Sequence, residues 1–592
     1  MRRRLLSVGL AAGLTLCGAP SMPRAAVRAA RAAPAGRSTL RVGMWTLWRD
    51  REVVLKPARS SRKTTIRYCE RCAVRLLDEA TTIRVSGRDL TVSAGGATAR
   101  AVGAWLNGPV TLAAHGETAT LKNPVAITAR DGALEIVVTM PVESYVERVV
   151  ASESSPADTM ESLKALAIVA RTFALHEAHG HTDYDLCDST HCQLLRWGAE
   201  GQLEAAAHAA TLATAGETLW FHGQRAVAYF SKDCGGRTAS PEEIWPNARP
   251  VPYLPSRADP YCVRDGGREW ASEITRADLT AALAAHGLAR PGWRRLTVER
   301  RGESGRAVTM RVDGTEIPAE EFRLAVGESL GWNRIPSTWF EVSQVGDRFE
   351  FHGRGWGHGV GLCQKGAAVM AAEGRSAEQI LEQYFPGAEA ADEATGLTWK
   401  SFAGDGFVLE TLSAGDASYL PELARTRAEA SQRSGLNAPA PFTVRAFTST
   451  AAFRNATLAP GWVAAFTEGQ WIAAQPLRVL AERKLLDSTL RHEFLHALVE
   501  REAGPAAPLW LREGLVEVWS GPGGNANRPP ELTIGEVDAA LAHAETEAES
   551  EAAHLAAQWY TARLLARYGR AQVLAWLRSG VPAGAVAGLG QR

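Results

Sequence analysis

Between residues 40 and 139, short runs of β-branched and apolar residues alternate with Gly, Asn and Asp turns. Three of these runs are 64–68, 81–85 and 134–138. Runs of this length bounded by turn residues are typical of β-strands, and no helical spacing of apolar positions separates them. The pattern therefore predicts an antiparallel sheet in this part of the chain.

After Pro141 the spacing of apolar residues becomes helical. They recur at i, i+3, i+4, i+7 and i+11 over Leu163, Leu166, Ala167, Ala170 and Ala174. With Asp158 and Glu161 placed as a capping box, this spacing predicts an amphipathic helix over 159–179. Further helices are predicted over 376–384 and 488–502, each ending before a Pro or Gly residue.

A chain of 592 residues is too long for one core. Residues 391–406 lack periodic apolar positions and contain Gly396, Gly404 and Gly406, which predicts a linker. We therefore expect an α+β protein of two units. The first, 38–390, has a strand-rich part, 38–139, and a mixed core, 140–390, and the second is an α+β unit over 407–585.

The N-terminus has the pattern of a secretory signal. Three arginines follow Met1, an apolar run covers 5–19, and Ala30-Arg31-Ala32 offers a cleavage site. We predict a signal peptide over 1–32 and an exported protein of the periplasm, extracellular space or cell wall, with an uncleaved membrane anchor as the alternative. Lys plus Arg and Asp plus Glu both number 65, so nothing in the net charge favours a nucleic-acid partner.

A metal-binding pattern lies in the second unit. His492, Glu493 and His496 form H-E-x-x-H, in which the i, i+4 spacing puts both imidazoles on one helix face to bind Zn²⁺. Glu513, expected to begin the next helix, is the predicted third ligand, and Glu517 is its rival. The alternative is an ordinary helix with surface His and Glu residues.

These motifs, a candidate edge strand over 470–474 and a late helix from Gln558 resemble the gluzincin metallopeptidases, in particular the peptidase MA-like domains. The resemblance implies a zincin-like fold and zinc-dependent peptide hydrolysis, with Glu493 as the base that activates water. The peptide or protein substrate is not identified by the motifs.

Three carboxylates precede the long predicted helix in the first unit: Glu143, Glu147 and Glu153. Cleavage of a glycosidic bond needs a carboxylic acid that protonates the leaving oxygen. Residue chemistry alone does not choose among the three, although Glu143 and Glu147 fit solvated acids on a helix surface.

Five sequence blocks carry a second resemblance. They cover 149–153, 162–174, 185–193, 234–238 and 353–367. In this order they resemble the stage II sporulation protein D and LytB amidase-enhancer family, whose enzymes are lytic transglycosylases acting on peptidoglycan glycan strands.

The resemblance implies that Glu153 is the general acid and base of a reaction that leaves a 1,6-anhydro sugar. Lys164 and Arg171 share one helix face, and we assign them substrate-binding roles. His358, in a Gly-rich loop, and Gln364 are further substrate-binding candidates, although His358 fits equally well as a histidine satisfied within a turn. The alternative is a module without its own cleavage activity, which binds peptidoglycan, stimulates a cell-wall amidase and carries an active or degenerate zinc peptidase.

Two thiols and two imidazoles form a second metal-binding pattern: His181, Cys187, His191 and Cys192. Such a set matches a closed structural zinc site, and members of the family resemble it; a Cys187–Cys192 disulfide is the alternative.

The other cysteines are predicted to pair. The resemblance implies a disulfide between Cys234 and Cys262, which flank a long loop. Cys69 and Cys72 are predicted to form a small disulfide, and Cys363 is left as the odd thiol.

Overall fold

The computed structural model describes residues 38–587 and 589, without 59–62, 70, 177–180, 199–201, 265, 439, 522–530 and 545. The predicted signal peptide, 1–32, lies outside the described residues. Within the described part, no helix combines the length and apolar character needed to cross a membrane. The chain is a mixed α+β protein with a strand-rich N-terminal part and a helical C-terminal part.

Two antiparallel sheets form the N-terminal part, as the strand pattern predicted. One joins β1, β12, β11, β8, β3 and β4 in that order, with the later short strand Leu186–Cys187 added in parallel beside β1. The other joins β10, β9, β2, β5, β6 and β7. In β1, Leu40 and Val42 are buried while Thr39 and Arg41 are exposed, the period of two that buries one face of a sheet. The strands are β1 Thr39–Met44, β2 Glu52–Pro57, β3 Thr65–Arg67, β4 Arg75–Leu76, β5 Thr81–Ser86, β6 Asp89–Ala94, β7 Ala97–Ala101, β8 Ala104–Asn107, β9 Val110–Ala114, β10 Glu117–Leu121, β11 Val125–Arg130 and β12 Ala133–Pro141.

Two buried helices follow these sheets. The second of them begins where the apolar spacing predicted, and Glu161 in its first turn accepts a hydrogen bond from the Ala377 N–H at 2.8 Å. The last residues of the predicted helix, 177–179, lie outside the described residues. The elements are α1 Val142–Glu153, α2 Met160–His176, β13 Leu186–Cys187, α3 Gln202–Ala213, β14 Glu217–Phe221, β15 Gln224–Arg225, β16 Phe230–Ser231 and α4 Pro241–Ile244.

A fully buried ion pair joins α1 to α2. Arg171 donates from Nε and Nη2 to the two carboxylate oxygens of Glu143 at 2.9 and 2.6 Å. Its Nη1 and Nη2 also donate to the carbonyl oxygens of Glu217, at 3.0 Å, and Thr211, at 3.3 Å. Glu143 is 6% exposed, so its interpretation as a solvated surface acid was wrong. The pair ties together α1, α2, the end of α3 and β14.

Residues 269–354 form an inserted subdomain with its own core, which sequence analysis had not separated from the mixed core around it. Two three-stranded antiparallel sheets, β17-β22-β21 and β18-β19-β20, enclose Phe322, Phe340, Phe349 and Phe351. The elements are β17 Glu269–Thr275, α5 Arg276–Ala285, β18 Leu296–Arg301, β19 Ala307–Val312, β20 Thr315–Pro318, α6 Ala319–Leu330, β21 Phe340–Val345 and β22 Arg348–Arg354.

The chain then returns to the first core. Strand β23 pairs in parallel with β16, and β24 pairs antiparallel with β14. Helix α8 confirms the helix predicted over 376–384 and begins with a capping box formed by Ser376 and Gln379. The elements are β23 Leu362–Cys363, α7 Gln364–Ala372, α8 Ala377–Tyr384 and β24 Glu389–Asp392.

The C-terminal part packs helices on a five-stranded sheet in the order β25-β26-β27-β29-β28, in which β26, β27 and β29 are parallel. Its elements are β25 Lys400–Gly404, β26 Phe407–Thr411, a 3₁₀ turn Ala414–Tyr419, α9 Leu420–Ser434, β27 Phe442–Ala446, α10 Thr450–Thr457, β28 Ala465–Glu468, β29 Trp471–Ala474, α11 Leu477–Glu482, α12 Leu486–Glu502, α13 Leu509–Ser520, α14 Ile534–His543, α15 Glu547–Ser579 and α16 Ala583–Val586.

Three details of this part differ from expectation. The edge strand is β28, so the predicted edge strand over 470–474 lies one place inside the sheet. Helix α13 begins at Leu509, so Glu513 lies in its second turn instead of at its start. The segment predicted as a linker, 391–406, holds the end of β24 and all of β25, which hydrogen-bonds to β26.

The first core also contacts the C-terminal sheet. His208 of α3 lies between the carboxylates of Glu147, at 3.0 Å, and Glu468, at 2.9 Å. These carboxylates outweigh the effect of burial and raise the pKa of His208 to about 10. Arg445 of β27 is buried and pairs with Glu217 and Glu410, each at 2.7 Å. The two parts are therefore joined by cations shared between acids of both.

The buried ion pair predicts a specific pattern of stability. Arg171→Met should lower the free energy of unfolding by about 3–5 kcal/mol, because it leaves Glu143 charged and buried without a partner. Adding Glu143→Leu should recover most of the loss. The control Lys164→Met, on the same helix and partly exposed, should cost about 1 kcal/mol or less. Urea unfolding followed by circular dichroism measures all four proteins, and equal effects of Arg171→Met and Lys164→Met would contradict the assignment.

Candidate functional site

A cavity of about 1040 Å³ opens at the C-terminal end of α1, between the first core and the inserted subdomain. Glu153, His358 and Gln364, which sequence analysis had separately singled out, all line it. Aromatic residues provide much of the remaining wall: Trp45, Trp48, Phe173, Trp197, Tyr229, Trp332 and Trp356. Such a cavity combines flat apolar surfaces with a few converging polar groups, as ligand sites commonly do.

Glu153 is the last residue of α1 and is partly buried. Its carbonyl oxygen accepts hydrogen bonds from Lys232 Nζ at 2.8 Å and Gln364 Nε2 at 3.2 Å. Burial raises the pKa of the carboxyl group above its usual range, against the opposing influence of Lys232, Gln364 and Arg196. The carboxyl group therefore holds a proton at higher pH than a solvated glutamate would, as a general acid requires.

Gln364 begins α7 and is 7% exposed. Among the described residues, no group hydrogen-bonds to its Oε1. A buried acceptor without a partner is costly, and here it stands in the wall of the cavity beside Glu153.

His358 lies between two glycines with positive φ, 93° at Gly357 and 79° at Gly359, a backbone that favours glycine. Its Nδ1 accepts the Val360 N–H at 3.0 Å, so the turn satisfies one ring nitrogen. Burial lowers the pKa of His358 to about 4. The ring is therefore neutral at neutral pH and carries its proton on Nε2. His358 is therefore satisfied within its turn and also lines the cavity, and its substrate-binding role stays a prediction.

Lys164 and Arg171 do not line the cavity, so the structure does not support their substrate-binding roles. Lys164 Nζ pairs with Glu161 at 2.8 Å, and Arg171 is fully buried in the ion pair with Glu143. Both side chains are thus bonded within the protein, Lys164 at a partly exposed position and Arg171 in the core.

Other cations line the cavity and were missed from the sequence: Lys232, Arg196, Arg268 and Arg323. Arg268 stacks on Trp356, with 4.0 Å between its guanidinium carbon and the ring centroid. Lys232 lies two residues before the block that begins at Cys234, so extending that block would have found it. Arg268 and Trp356 are 88 positions apart in sequence, and no local signal joins them.

Comparison with known proteins finds relatives of the part of the chain that contains Glu153. A sequence model described as stage II sporulation protein matches residues 130–221, the segment that holds α1, α2 and Glu153. An uncharacterised protein of Brachyspira hyodysenteriae is 30% identical over 254 residues, covering 42% of this chain and 67% of that protein. Stage II sporulation protein D of Bacillus subtilis is 29% identical over 290 residues, covering 46% of this chain and 81% of that protein.

Through this domain, the chain belongs to the stage II sporulation protein D family.

A more distant family relative is the amidase enhancer of Bacillus subtilis, 22% identical over 294 residues, which cover 40% of this chain and 39% of the relative. A second model, for a domain of unknown function (DUF8618), matches residues 268–361. That range spans the inserted subdomain and its flanking residues Arg268 and Trp356, so this part of the cavity wall lies outside the first matched segment.

The histidine and cysteine pattern beside the family domain comes together in space. One ligand atom each from His181, Cys187, His191 and Cys192 lies within 4.8 Å of every other. Cys192 Sγ lies 3.3 Å from His181 Nε2 and 3.6 Å from His191 Nδ1. Cys187 and Cys192 are both free thiols, so the alternative disulfide does not form. Two sulfur and two nitrogen donors at these distances fit a tetrahedral Zn²⁺.

The predicted pairing of the remaining cysteines was right in one case and wrong in another. Cys69 and Cys72 form the expected disulfide. Cys234 and Cys262 are free, and Cys363 is not a spare thiol but lies beside both of them. The three sulfurs share a buried cluster that spacing along the chain did not reveal.

In the C-terminal part, the H-E-x-x-H residues are brought together on α12. His492 Nε2 and His496 Nε2 are 3.0 Å apart, and Glu513 Oε2 of α13 lies 3.4 Å from His496 Nε2. Glu517, the rival ligand, lies 3.9 Å from His492 Nδ1, on the far side of that ring. His496 thus contacts both His492 and Glu513, and two imidazoles with one carboxylate are the donor types of a catalytic zinc site.

Two further residues support this cluster and were not foreseen. The Thr467 hydroxyl donates to Glu493 Oε2 at 2.6 Å, and burial raises the pKa of Glu493. His554 of α15 lies 3.5 Å from Glu513 Oε2 and donates from Nδ1 to the Ser550 carbonyl at 2.8 Å. Burial lowers the pKa of His554, but the Glu513 carboxylate outweighs it and raises the value to about 9. His554 therefore holds Glu513 in place.

The surroundings of Glu153 predict how its acidity responds to mutation. Lys232→Met should raise the pKa of Glu153 further, because it removes an ammonium group that stabilises the carboxylate. Carbon-13 NMR of glutamate-labelled protein measures the titration, with Glu153→Gln to assign the signal. Lys164→Met is the matched control and should leave the signal in place. An unchanged or lower pKa in Lys232→Met would contradict this electrostatic description.

Proposed function

We propose that this chain is an exported enzyme that cleaves peptidoglycan glycan strands by the lytic transglycosylase reaction. The observation that carries the proposal is the placement of Glu153, with its raised pKa, in a cavity walled by aromatic residues. Sugar rings stack on such surfaces through their apolar faces. Membership of the stage II sporulation protein D family supports a role at the cell wall.

In this reaction Glu153 acts twice. Its protonated carboxyl group donates a proton to the oxygen that leaves as the bond from MurNAc C1 to GlcNAc breaks. The resulting carboxylate then takes the proton of the MurNAc 6-hydroxyl group, while the oxygen of that hydroxyl group forms a bond to C1 of the same sugar. The products are a shortened strand with a free GlcNAc hydroxyl and a 1,6-anhydro-MurNAc end. Glu153 finishes protonated and no water is consumed, so a single carboxylate is sufficient.

The neighbours of Glu153 have positioning roles in the proposal. Lys232 and Gln364 fix the last turn of α1 through the Glu153 carbonyl oxygen. His358, neutral, presents its ring to the cavity, and the Gln364 Oε1 is an acceptor for a sugar hydroxyl. Arg268 stiffens Trp356 by stacking on it, which favours a fixed platform for one ring.

The alternative is a module that binds the glycan strand and stimulates a cell-wall amidase without cleaving the strand itself. Similarity to an amidase enhancer favours it. The two functions share the cavity but differ in whether the carboxyl group of Glu153 is needed.

Glu153→Gln distinguishes them. Because the amide can neither donate the proton as an acid nor take it as a base, the rate of anhydro-muropeptide release should fall by at least about 100-fold. Glu147→Gln, two turns earlier on α1, is the control and should stay near the wild-type rate. Mass spectrometry of digested glycan strands measures the products. Undiminished anhydro products from Glu153→Gln would remove this residue as the catalyst.

The activity of the wild-type enzyme should also fall as pH rises through the pKa of Glu153, since only the protonated form starts the reaction.

For the C-terminal part we propose a second, zinc-dependent peptidase function. His492, His496 and Glu513 would hold Zn²⁺, which when bound supplies Lewis acidity toward a peptide carbonyl. Glu493 takes the proton of the attacking water and passes it to the leaving amine. Thr467 orients this carboxyl group, and burial brings its pKa nearer to neutral, as a base requires. The converging imidazoles favour this over an ordinary surface helix.

The set of His181, Cys187, His191 and Cys192 would hold a structural zinc ion. Cys192 also lines the cavity, and the backbone from Asp188 to Arg196 forms part of its wall. A metal there would fix this segment against Glu153.

Zinc content tests the peptidase proposal at the level of binding. His492→Ala should lose about one zinc ion per chain relative to wild type, because it leaves only two of the three proposed ligands. His543→Ala, an exposed histidine in the same part of the chain, is the control and should keep the wild-type content. Inductively coupled plasma mass spectrometry measures the difference. Equal zinc in His492→Ala and wild type would exclude this site.

A further inference from the structure

Three thiols and a carboxylate meet in the interior of the first core. Cys234 follows β16, Cys363 ends β23, and Asp259 and Cys262 lie on the loop that precedes the inserted subdomain. All four residues are buried, and one ligand atom from each lies within 4.8 Å of every other. Cys234 Sγ lies 3.2 Å from Asp259 Oδ2.

These distances suit one tetrahedral metal ion. With Zn–S bonds of about 2.3 Å and a Zn–O bond of about 2.0–2.2 Å, neighbouring ligand atoms are about 3.5–3.8 Å apart. The 3.2 Å separation between Cys234 Sγ and Asp259 Oδ2 lies below this range, and the 4.8 Å upper limit on the other separations lies above it. Three sulfur donors and one carboxylate oxygen, closed off from solvent, match a structural site for Zn²⁺ more closely than a site for a hard cation.

Backbone N–H groups donate to one of the three sulfurs. Cys363 Sγ accepts the Cys234 N–H at 3.2 Å and the Gly366 N–H at 3.5 Å. The second of these donors belongs to the first turn of α7, where the helix dipole favours negative charge. Backbone donors to metal-bound sulfur are a common outer shell of such sites.

A buried cation balances the charge of such a cluster. Arg306 is fully buried and donates from Nη2 to the Cys234 carbonyl oxygen at 2.7 Å. Its Nε and Nη1 hydrogen-bond to no group in the described part of the chain. A guanidinium in this position is expensive to bury beside neutral thiols and less so beside an anionic metal cluster.

The carboxylates of Asp259 and Asp233 both lie beside the sulfurs, and their hydrogen bonds indicate which of the two is a metal ligand. Asp259 accepts the Tyr384 hydroxyl at 2.9 Å and the Cys262 N–H at 3.1 Å, which hold it in place as a ligand. Asp233 lies 3.0 Å from Cys262 Sγ and accepts the Gly235 N–H at 2.8 Å, so it contacts the cluster from outside.

We propose that Cys234, Cys262, Cys363 and Asp259 bind a structural zinc ion. This site is separate from the set of His181, Cys187, His191 and Cys192, and from the H-E-x-x-H cluster. It replaces the disulfide expected between Cys234 and Cys262, and it gives Cys363 a role.

The proposed metal site is connected to the cavity by residues that are close to its cysteines in the sequence. Lys232 lies two residues before Cys234, and Gln364 directly follows Cys363. Both side chains donate to the carbonyl oxygen of Glu153. The metal would therefore cross-link the two strands that carry these donors and the loop that leads to the inserted subdomain.

Metal analysis of the full chain tests the proposal. Wild type, Cys262→Ser, Cys363→Ser and a Cys69→Ser/Cys72→Ser control are purified without chelator, and zinc per chain is measured by mass spectrometry. Each variant of the cluster should hold about one zinc ion fewer than wild type, and the control should hold as much. Unchanged zinc in both cluster variants would overturn the proposal.

A second measurement on wild type does not depend on the folding of any variant. Alkylation without reductant is followed by peptide mass mapping, before and after treatment with a zinc chelator in denaturant. We expect Cys234, Cys262 and Cys363 to resist alkylation in the native protein and to be alkylated fully once the metal is removed. A disulfide between Cys234 and Cys262 in the map would overturn the proposal.

Discussion

The arrangement of the first core depends on one buried ion pair, between Arg171 and Glu143. Glu143 is in the first turn of α1 and Glu153 is its last residue, so whatever fixes one end of this helix also sets the position of the other. Burying both charges is costly, and the cost is offset because both carboxylate oxygens are bonded and the guanidinium also reaches two carbonyl oxygens. The pair gives α1 one register against α2 and β14, and it therefore places Glu153 at the mouth of the cavity.

The opposite end of α1 is fixed by different contacts. Lys232 and Gln364 hold the Glu153 carbonyl oxygen, and both adjoin the buried cysteine cluster. The carboxyl group stays in an environment where burial outweighs the neighbouring cation, so its pKa is raised despite Lys232. A structure that placed more positive charge around Glu153 would bind an anionic strand better, but it would lower the pKa of the carboxyl group and leave less of it protonated at neutral pH. Stacking Arg268 on Trp356 keeps one cation in the wall without adding it to the contacts of Glu153.

Sequence reasoning succeeded where the signal is local. The spacing of His492 and His496 fixes their shared helix face, apolar periodicity found α2, and the Pro and Gly residues after them marked the ends of α8 and α12. It failed where the partner comes from elsewhere in the fold. Arg171 looked like a ligand for substrate because its buried partner lies 28 residues away. Cys363 looked unpaired because Cys234 is 129 residues before it, and His554 gave no sign of its contact with Glu513. The inserted subdomain was missed because its strands continue the mixed pattern around it and its core forms only on folding.

The central claim is that the cavity presents a glycosidic oxygen to Glu153. The most direct test is a crystal structure of the Glu153→Gln protein with a tetrasaccharide of alternating GlcNAc and MurNAc. We expect the sugar rings to stack on the tryptophan walls of the cavity and the linking oxygen to lie about 3 Å from the side chain of residue 153. A tetrasaccharide bound outside the cavity, or bound in it with that oxygen out of hydrogen-bond reach of residue 153, would contradict the account.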